Sequence, residues 1–244
     1  MKHIALITLI LISMLANAYA LPDGTHGQKK PDYAIVLHGL GRSAYSMGDI
    51  AKALKKQGYE VHNLDYPSTR DDLPKLIHDM EARLRPYLED EERTVNFVCY
   101  SLGCLLTRGI IHQNRPEKLG RVVMLGPPNH GSEMADFLKD SGVSNWVFGP
   151  VLSQLGVSNR KRLEKEIGAS VDYPVGIIAG NEWIDPVGAS IIPGDNDGRV
   201  SVENTMLEGM TDHIVLAVSH TFLITNKKAI EQTVEFLKEG KFLK

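Results

Sequence analysis

Apolar runs of five or six residues recur along this chain, separated by longer stretches whose apolar positions repeat at helical spacing. Strands are predicted over 33–37, 60–65, 95–99, 121–125, 174–179 and 214–218. Helices are predicted over 45–57, 72–88, 102–113 and 225–238. In the first helix Ile50, Leu54 and the aliphatic stem of Lys55 share a face, and Gly58 stops it. Asp71 and Asp72 suit the N-terminus of the second, where a helix favours negative charge. Strands alternating with helices argue for a mostly parallel sheet of about six strands with helices on both faces, an α/β fold. One segment, 133–168, breaks the alternation. It carries Met134, Phe137, Leu138, Trp146, Val147, Phe148, Val151, Leu152 and Leu155 among glycines and serines. Ordinary packing of these residues onto the sheet is one reading of it.

The start of the chain is of a different kind. Lys2 and His3 precede an apolar run from Ile4 to Leu15, broken only by Thr8 and Ser13, and Ala18-Tyr19-Ala20 supplies an A-x-A cleavage site. Residues 1–20 therefore read as a signal peptide, and 21–30 as a short linker. The run falls short of the roughly 20 apolar residues that a membrane span needs. The mature chain is expected to be exported, periplasmic or secreted, without a stable membrane anchor. What remains, 31–244, is the size of a single domain with one sizeable core. A formal charge of −3 gives no reason to propose nucleic acid as a partner. The two cysteines, Cys99 and Cys104, are expected on different sides of a turn, buried and reduced rather than bridged.

The turn in question carries the chemistry. Phe97-Val98-Cys99-Tyr100-Ser101-Leu102-Gly103 ends a predicted strand and opens a predicted helix, with a serine at the apex. This is the layout of the G-x-S-x-G nucleophile elbow, with Cys99 in place of its first glycine. Further segments stand in a telling order: HGLGR at 38–42, LGPPNHGS at 125–132, DGRVS at 197–201 and SHTF at 219–222. Together with YSLGCLLTRG at 100–109 they resemble the α/β-hydrolase superfamily, and within it small bacterial lipase- and esterase-like serine hydrolases. The resemblance covers about residues 31–240.

The resemblance implies a minimal α/β-hydrolase sheet without the first two strands of a full-sized member, since little chain precedes Tyr33. It also implies a small cap at 133–168, whose apolar residues offer acyl chains a surface. Ser101 is the expected nucleophile and His220, after the last predicted strand, the expected base. The other histidines fit worse: His213 precedes that strand, His112 sits on the helix behind the elbow, and His62 and His78 come too early. Asp197, in a D-G-x-V setting, is the expected acid, with Asp185 and Asp195 as alternatives. The backbone N–H groups of Leu40 and Leu102 are the expected oxyanion donors. Substrate contact falls to His38, Gly39, Asn129 and His130, with His38 also placed to position its loop.

No metal or cofactor is expected. There is no H-E-x-x-H, no zinc-spaced cysteine pair and no phosphate-binding glycine loop. GDNDG at 194–198 resembles only a fragment of a calcium loop. The leading reading is an exported hydrolase of carboxylic esters acting on a small-molecule ester or lipid. A thioesterase or acyltransferase would use the same residues, and a hydrolase-fold binding protein without activity is the non-enzymatic alternative.

Overall fold

The computed structural model describes residues 30–140, 148–184 and 190–244. Residues 1–29, Trp146, Val147 and Asp185 lie outside the described residues. Six strands are formed: β1 (Tyr33–Leu37), β2 (Glu60–Leu64), β3 (Val95–Tyr100), β4 (Leu119–Leu125), β5 (Val175–Gly180) and β6 (Asp212–Leu216). They make one sheet in the order β2-β1-β3-β4-β5-β6, and every adjacent pair is parallel. The inner strands β1, β3 and β5 are buried along their whole length, as expected where helices cover both faces.

Helices α2 (Leu73–Leu88), α3 (Leu102–Gln113) and α5 (Arg160–Ile167) cover one face. There Leu76, Ile77, Leu105 and Leu163 pack on Ile35, Phe97 and Ile177. The opposite face carries α1 (Gly48–Lys56) and α6 (Lys227–Glu239), through Ile50, Leu54, Ala229 and Phe236. Pro31–Lys244 form one compact unit. The helix starts follow their sequence: Asp72 Oδ1 accepts from Lys75 N at 3.0 Å, and Asn226 Oδ1 accepts from Lys228 N at 2.9 Å.

Two expectations shift. The helix predicted over 45–57 opens with a 3₁₀ turn at Ala44–Met47 before α1 begins. The strand predicted over 214–218 lies two residues earlier, at Asp212–Leu216. The chain turns there because Val218 N–H bonds back to Leu216 O at 2.8 Å, an i to i+2 closure that ends the ladder. His213 is consequently inside β6 rather than before it, and its ring nitrogen meets Thr205 Oγ1 at 2.9 Å.

The segment 133–168 does two things at once. It forms α4 (Glu133–Asp140), a 3₁₀ turn at Pro150–Gln154 and α5. Val151, Leu152, Leu155 and Leu163 join the apolar cluster on the α2–α3 face, as ordinary core packing requires. Some of the same residues also face a cavity at the carboxyl ends of the strands. That cavity lies where β1 and β3, adjacent in the sheet, lead their chains in opposite directions, the usual position for a ligand in an open parallel sheet.

Candidate active site

Ser101 follows β3 directly and serves as the N-cap of α3. Its φ of 53° and ψ of −121° make it the one non-glycine residue at positive φ among the described residues. Such a conformation costs about 1–3 kcal/mol and persists only where the surroundings impose it. Here Ser101 N–H donates to Leu125 O on β4 and Ser101 O accepts from Cys104 N, both at 2.9 Å. Gly103 is required by packing: a Cβ there would meet His38 O at 2.5 Å and Leu37 O at 2.6 Å. Cys99 needs no such space. It points into the α2–α3 cluster together with Cys104, so both thiols lie on the same side of the turn, contrary to the expectation, and both are free.

His220 reaches the serine from the far end of the sheet. Its Nε2 lies 3.1 Å from Ser101 Oγ and its Nδ1 lies 2.6 Å from Asp197 Oδ2. A carboxylate only accepts, so the Nδ1–H form faces Asp197 and Nε2 is left to accept from the serine hydroxyl. The backbone fixes the pair twice more: His220 N–H donates to Asp197 O at 2.9 Å, and Tyr100 Oη–H donates to His220 O at 3.0 Å. Gly126 backs the imidazole, where a Cβ would stand 3.0 Å from its Cε1 and Nδ1.

Asp197 is 2 % exposed, and its other oxygen accepts from Arg199 N at 3.0 Å and Val200 N at 2.8 Å. The loop that resembled a calcium-site fragment closes on its own groups instead, with Asn196 Oδ1 accepting from Gly198 N at 3.0 Å. Asp195, an alternative acid, is exposed to solvent. Asp185, the other, lies outside the described residues.

Leu40 lines the cavity beside Ser101, and Leu102 begins α3. Neither backbone N–H has an acceptor among the described residues. The loop that carries Leu40 is held by His38. Its Nδ1–H donates to Gly39 O at 2.8 Å, its Nε2 accepts from Tyr66 N at 3.3 Å, and its ring stacks on Tyr66 at 4.2 Å. Burial lowers the His38 pKa below the ordinary histidine range.

The cavity over Ser101 has a volume of about 520 Å³, within the range of small-molecule sites. Met134, Phe137, Leu138, Phe148, Leu152 and Leu155, all from the 133–168 segment, make one wall. Tyr100, His220 and Val200 also line the cavity.

Against known families, residues 34–166, more than half of the chain, match the model of palmitoyl protein thioesterase. The chain belongs to that family. No curated protein matches it in sequence. Among solved structures it is similar to the mature Bacillus licheniformis lipase BlEst2, with TM-score 0.73 and 23% identity over 88% of this chain and 94% of that one. It is similar also to the Paleococcus ferrophilus monoacylglycerol lipase, with TM-score 0.57 and 17% identity over 86% and 96% of the two chains. The Aspergillus fumigatus lipase B matches with TM-score 0.63 and 15% identity over 90% of this chain, which spans 55% of that lipase. These likenesses show a shared α/β-hydrolase fold of the lipase and esterase kind.

Within this palmitoyl protein thioesterase family member, the four positions expected to touch substrate do not line the cavity. His38 is fully buried, with both ring nitrogens engaged as described. Gly39 is buried beneath the elbow, where a Cβ would stand 2.9 Å from the Tyr100 ring. Asn129 is 1 % exposed and donates to Thr205 O at 2.7 Å. His130 turns away toward Glu164, its Nδ1 4.0 Å from Oε1. Their neighbours Pro128 and Ser132 form the wall instead, and Ser132 Oγ–H ties this loop to Arg199 O at 2.7 Å.

Arg108 was not singled out from the sequence. It is fully buried in α3 and donates to Asn129 Oδ1 at 3.1 Å and to Gly168 O. Burial lowers its pKa to about 10. It braces the 127–132 loop from behind. An arginine within Leu102–Ile111, a stretch otherwise made of apolar and small residues, was the available signal, since a buried cation requires polar partners.

Proposed function

We propose that this protein is an exported serine hydrolase that cleaves long-chain acyl esters through Ser101, His220 and Asp197. The observation that carries the reading is the hydrogen-bond chain from Ser101 Oγ through His220 to Asp197, at 3.1 Å and 2.6 Å. A free serine hydroxyl is a weak nucleophile at neutral pH, and a base within hydrogen-bond reach activates it. His220 takes the serine proton as Oγ attacks the acyl carbon, and Asp197 stabilises the imidazolium that forms. The N–H groups of Leu40 and Leu102 receive the oxyanion. His220 then protonates the departing alcohol, and water releases the acyl group by the same steps in reverse. The apolar wall from the 133–168 segment holds the acyl chain, which makes that segment a cap. Export is proposed from the composition of residues 1–20 alone.

Membership of the palmitoyl protein thioesterase family favours a second reading, in which the same site cleaves acyl thioesters. The two differ only in whether the leaving atom is oxygen or sulfur. Purified protein assayed on a palmitoyl oxyester and a palmitoyl thioester in parallel separates them by kcat/KM. The proposal expects turnover of the oxyester. Absence of turnover on both substrates contradicts it.

A further inference from the structure

Leu40 can hold an oxyanion only if its N–H is aimed and kept there, yet Gly39 and Gly41 on either side leave the loop free to turn. The segment after β2 removes that freedom. β1 and β2 pair in register up to Leu37 and Leu64, so the chain after each strand leaves the sheet beside the other. Asn63 Nδ2 donates to Ala44 O at 2.7 Å and Asp65 Oδ1 accepts from Ala44 N at 2.6 Å, which pins the far end of the loop.

Between these ends, three consecutive peptide units are held by one side chain each. Tyr66 Oη–H donates to His38 O at 2.5 Å and holds the His38–Gly39 unit. His38 Nδ1–H donates to Gly39 O at 2.8 Å and holds the Gly39–Leu40 unit. Ser68 Oγ accepts from Gly41 N at 3.0 Å and holds the Leu40–Gly41 unit. Every peptide bond among the described residues is trans, and in a trans unit the C=O and the next N–H point opposite ways. Gly39 O faces the buried His38 ring, so Leu40 N–H is directed away from it.

The His38 carbonyl also meets the frame of the second donor. A Cβ on Gly103 would stand 2.5 Å from His38 O, so this oxygen abuts the first turn of α3, where Leu102 sits. Tyr66 and Ser68 are both buried, and one tight turn carries them: Ser68 N–H donates to Tyr66 O at 2.8 Å around Pro67. Burial raises the Tyr66 pKa well above the ordinary value of 10.0, which keeps its hydroxyl a donor.

We propose, resting on the acyl-hydrolase reading above, that Tyr66 and Ser68 are positioning residues of the oxyanion hole, holding the Leu40 N–H ready for the tetrahedral intermediate. Neither lines the cavity. Their effect therefore falls on the transition state, where the negative oxygen appears, and spares the apolar contacts that bind the ester.

Tyr66→Phe tests this, since it keeps the ring that stacks on His38 and removes only the hydroxyl. On p-nitrophenyl decanoate its kcat falls about ten- to a hundredfold, with KM changed less than about twofold. Decyl trifluoromethyl ketone reads the hole itself: Ser101 Oγ adds to its carbonyl carbon, His220 takes the serine proton, and the carbonyl oxygen becomes the oxyanion. Its affinity falls by the same factor as kcat. Decanol, which occupies the acyl wall without forming an oxyanion, keeps its affinity. A general loosening of the fold would weaken both ligands. Ser68→Ala loses kcat and ketone affinity in the same proportion, and it carries the test if Tyr66→Phe does not fold. Tyr59→Phe, which removes a hydroxyl bonded to Leu237 O at 3.4 Å, changes neither.

Wild-type kcat in folded Tyr66→Phe and Ser68→Ala overturns this proposal and leaves the acyl-hydrolase reading standing. A loss carried by KM, or a loss of kcat without a matching loss of ketone affinity, overturns it too. Absence of ester turnover in the wild-type protein overturns both.

Discussion

Ser101 Oγ and His220 Nε2 stand 3.1 Å apart although 119 residues separate them in the chain. The serine is set by a backbone conformation that β4 and α3 enforce, and the histidine by the turn that ends β6 and by Asp197. A contact built from several separate segments is the work of the whole sheet, which is why local changes at each segment bear on it.

Asp197 is the first of these. Replacement by Asn removes the acceptor that holds the Nδ1–H tautomer, so kcat falls about 10³- to 10⁴-fold while the fold persists. Asp195→Asn, two residues away and exposed, leaves kcat at its wild-type level. Steady-state assays with circular dichroism of both variants check the pair.

Gly126→Ala reads the support behind the imidazole. Its φ is 54°, and the new methyl would lie 3.0 Å from two atoms of the His220 ring. The backbone strain costs about 1 kcal/mol of stability, and the displaced ring lowers kcat by about ten- to a hundredfold. Urea unfolding and turnover measured together distinguish this from a general loss of folding.

Phe137 tests the cap. It lines the cavity yet is 45 % exposed, so its loss leaves little unfilled space in the core. Phe137→Ala should lower kcat/KM for a long acyl chain by about tenfold and change a short-chain ester far less. An acyl-length series on both proteins is the measurement.

His38 makes stability depend on pH. Burial holds its folded pKa below the ordinary value of 6.5, so the unfolded chain binds the proton more readily. Its contribution is complete above about pH 6.5 and is lost as the pH falls through the lowered folded value. His130 and His213 are shifted the same way, also chiefly by burial. Urea unfolding between about pH 7.5 and pH 5 should therefore show stability falling with acid, with a shallower slope in His38→Gln.

The sheet was legible where its strands are apolar runs, as in β1 and β5, and the elbow because a serine between a strand and a helix leaves few other structures. Strand boundaries at β6 were not, since the alternation of Ile214, Leu216 and Val218 continues through a turn that only a backbone hydrogen bond reveals. The lining of the cavity was not legible for a related reason. The polar groups His38 and Asn129 border the site in sequence, but burial turns them inward to satisfy backbone and Arg108. The wall fell to apolar neighbours, whose direction no spacing rule supplies.

The central claim is that Ser101 is a nucleophile activated by His220, and a fluorophosphonate probe with mass-spectrometric mapping tests it most directly. The account predicts a single adduct on Ser101 in the wild-type protein, and neither adduct nor ester turnover in a folded Ser101→Ala variant. A wild-type protein that stays unlabelled, or a Ser101→Ala variant that still hydrolyses esters, would contradict it.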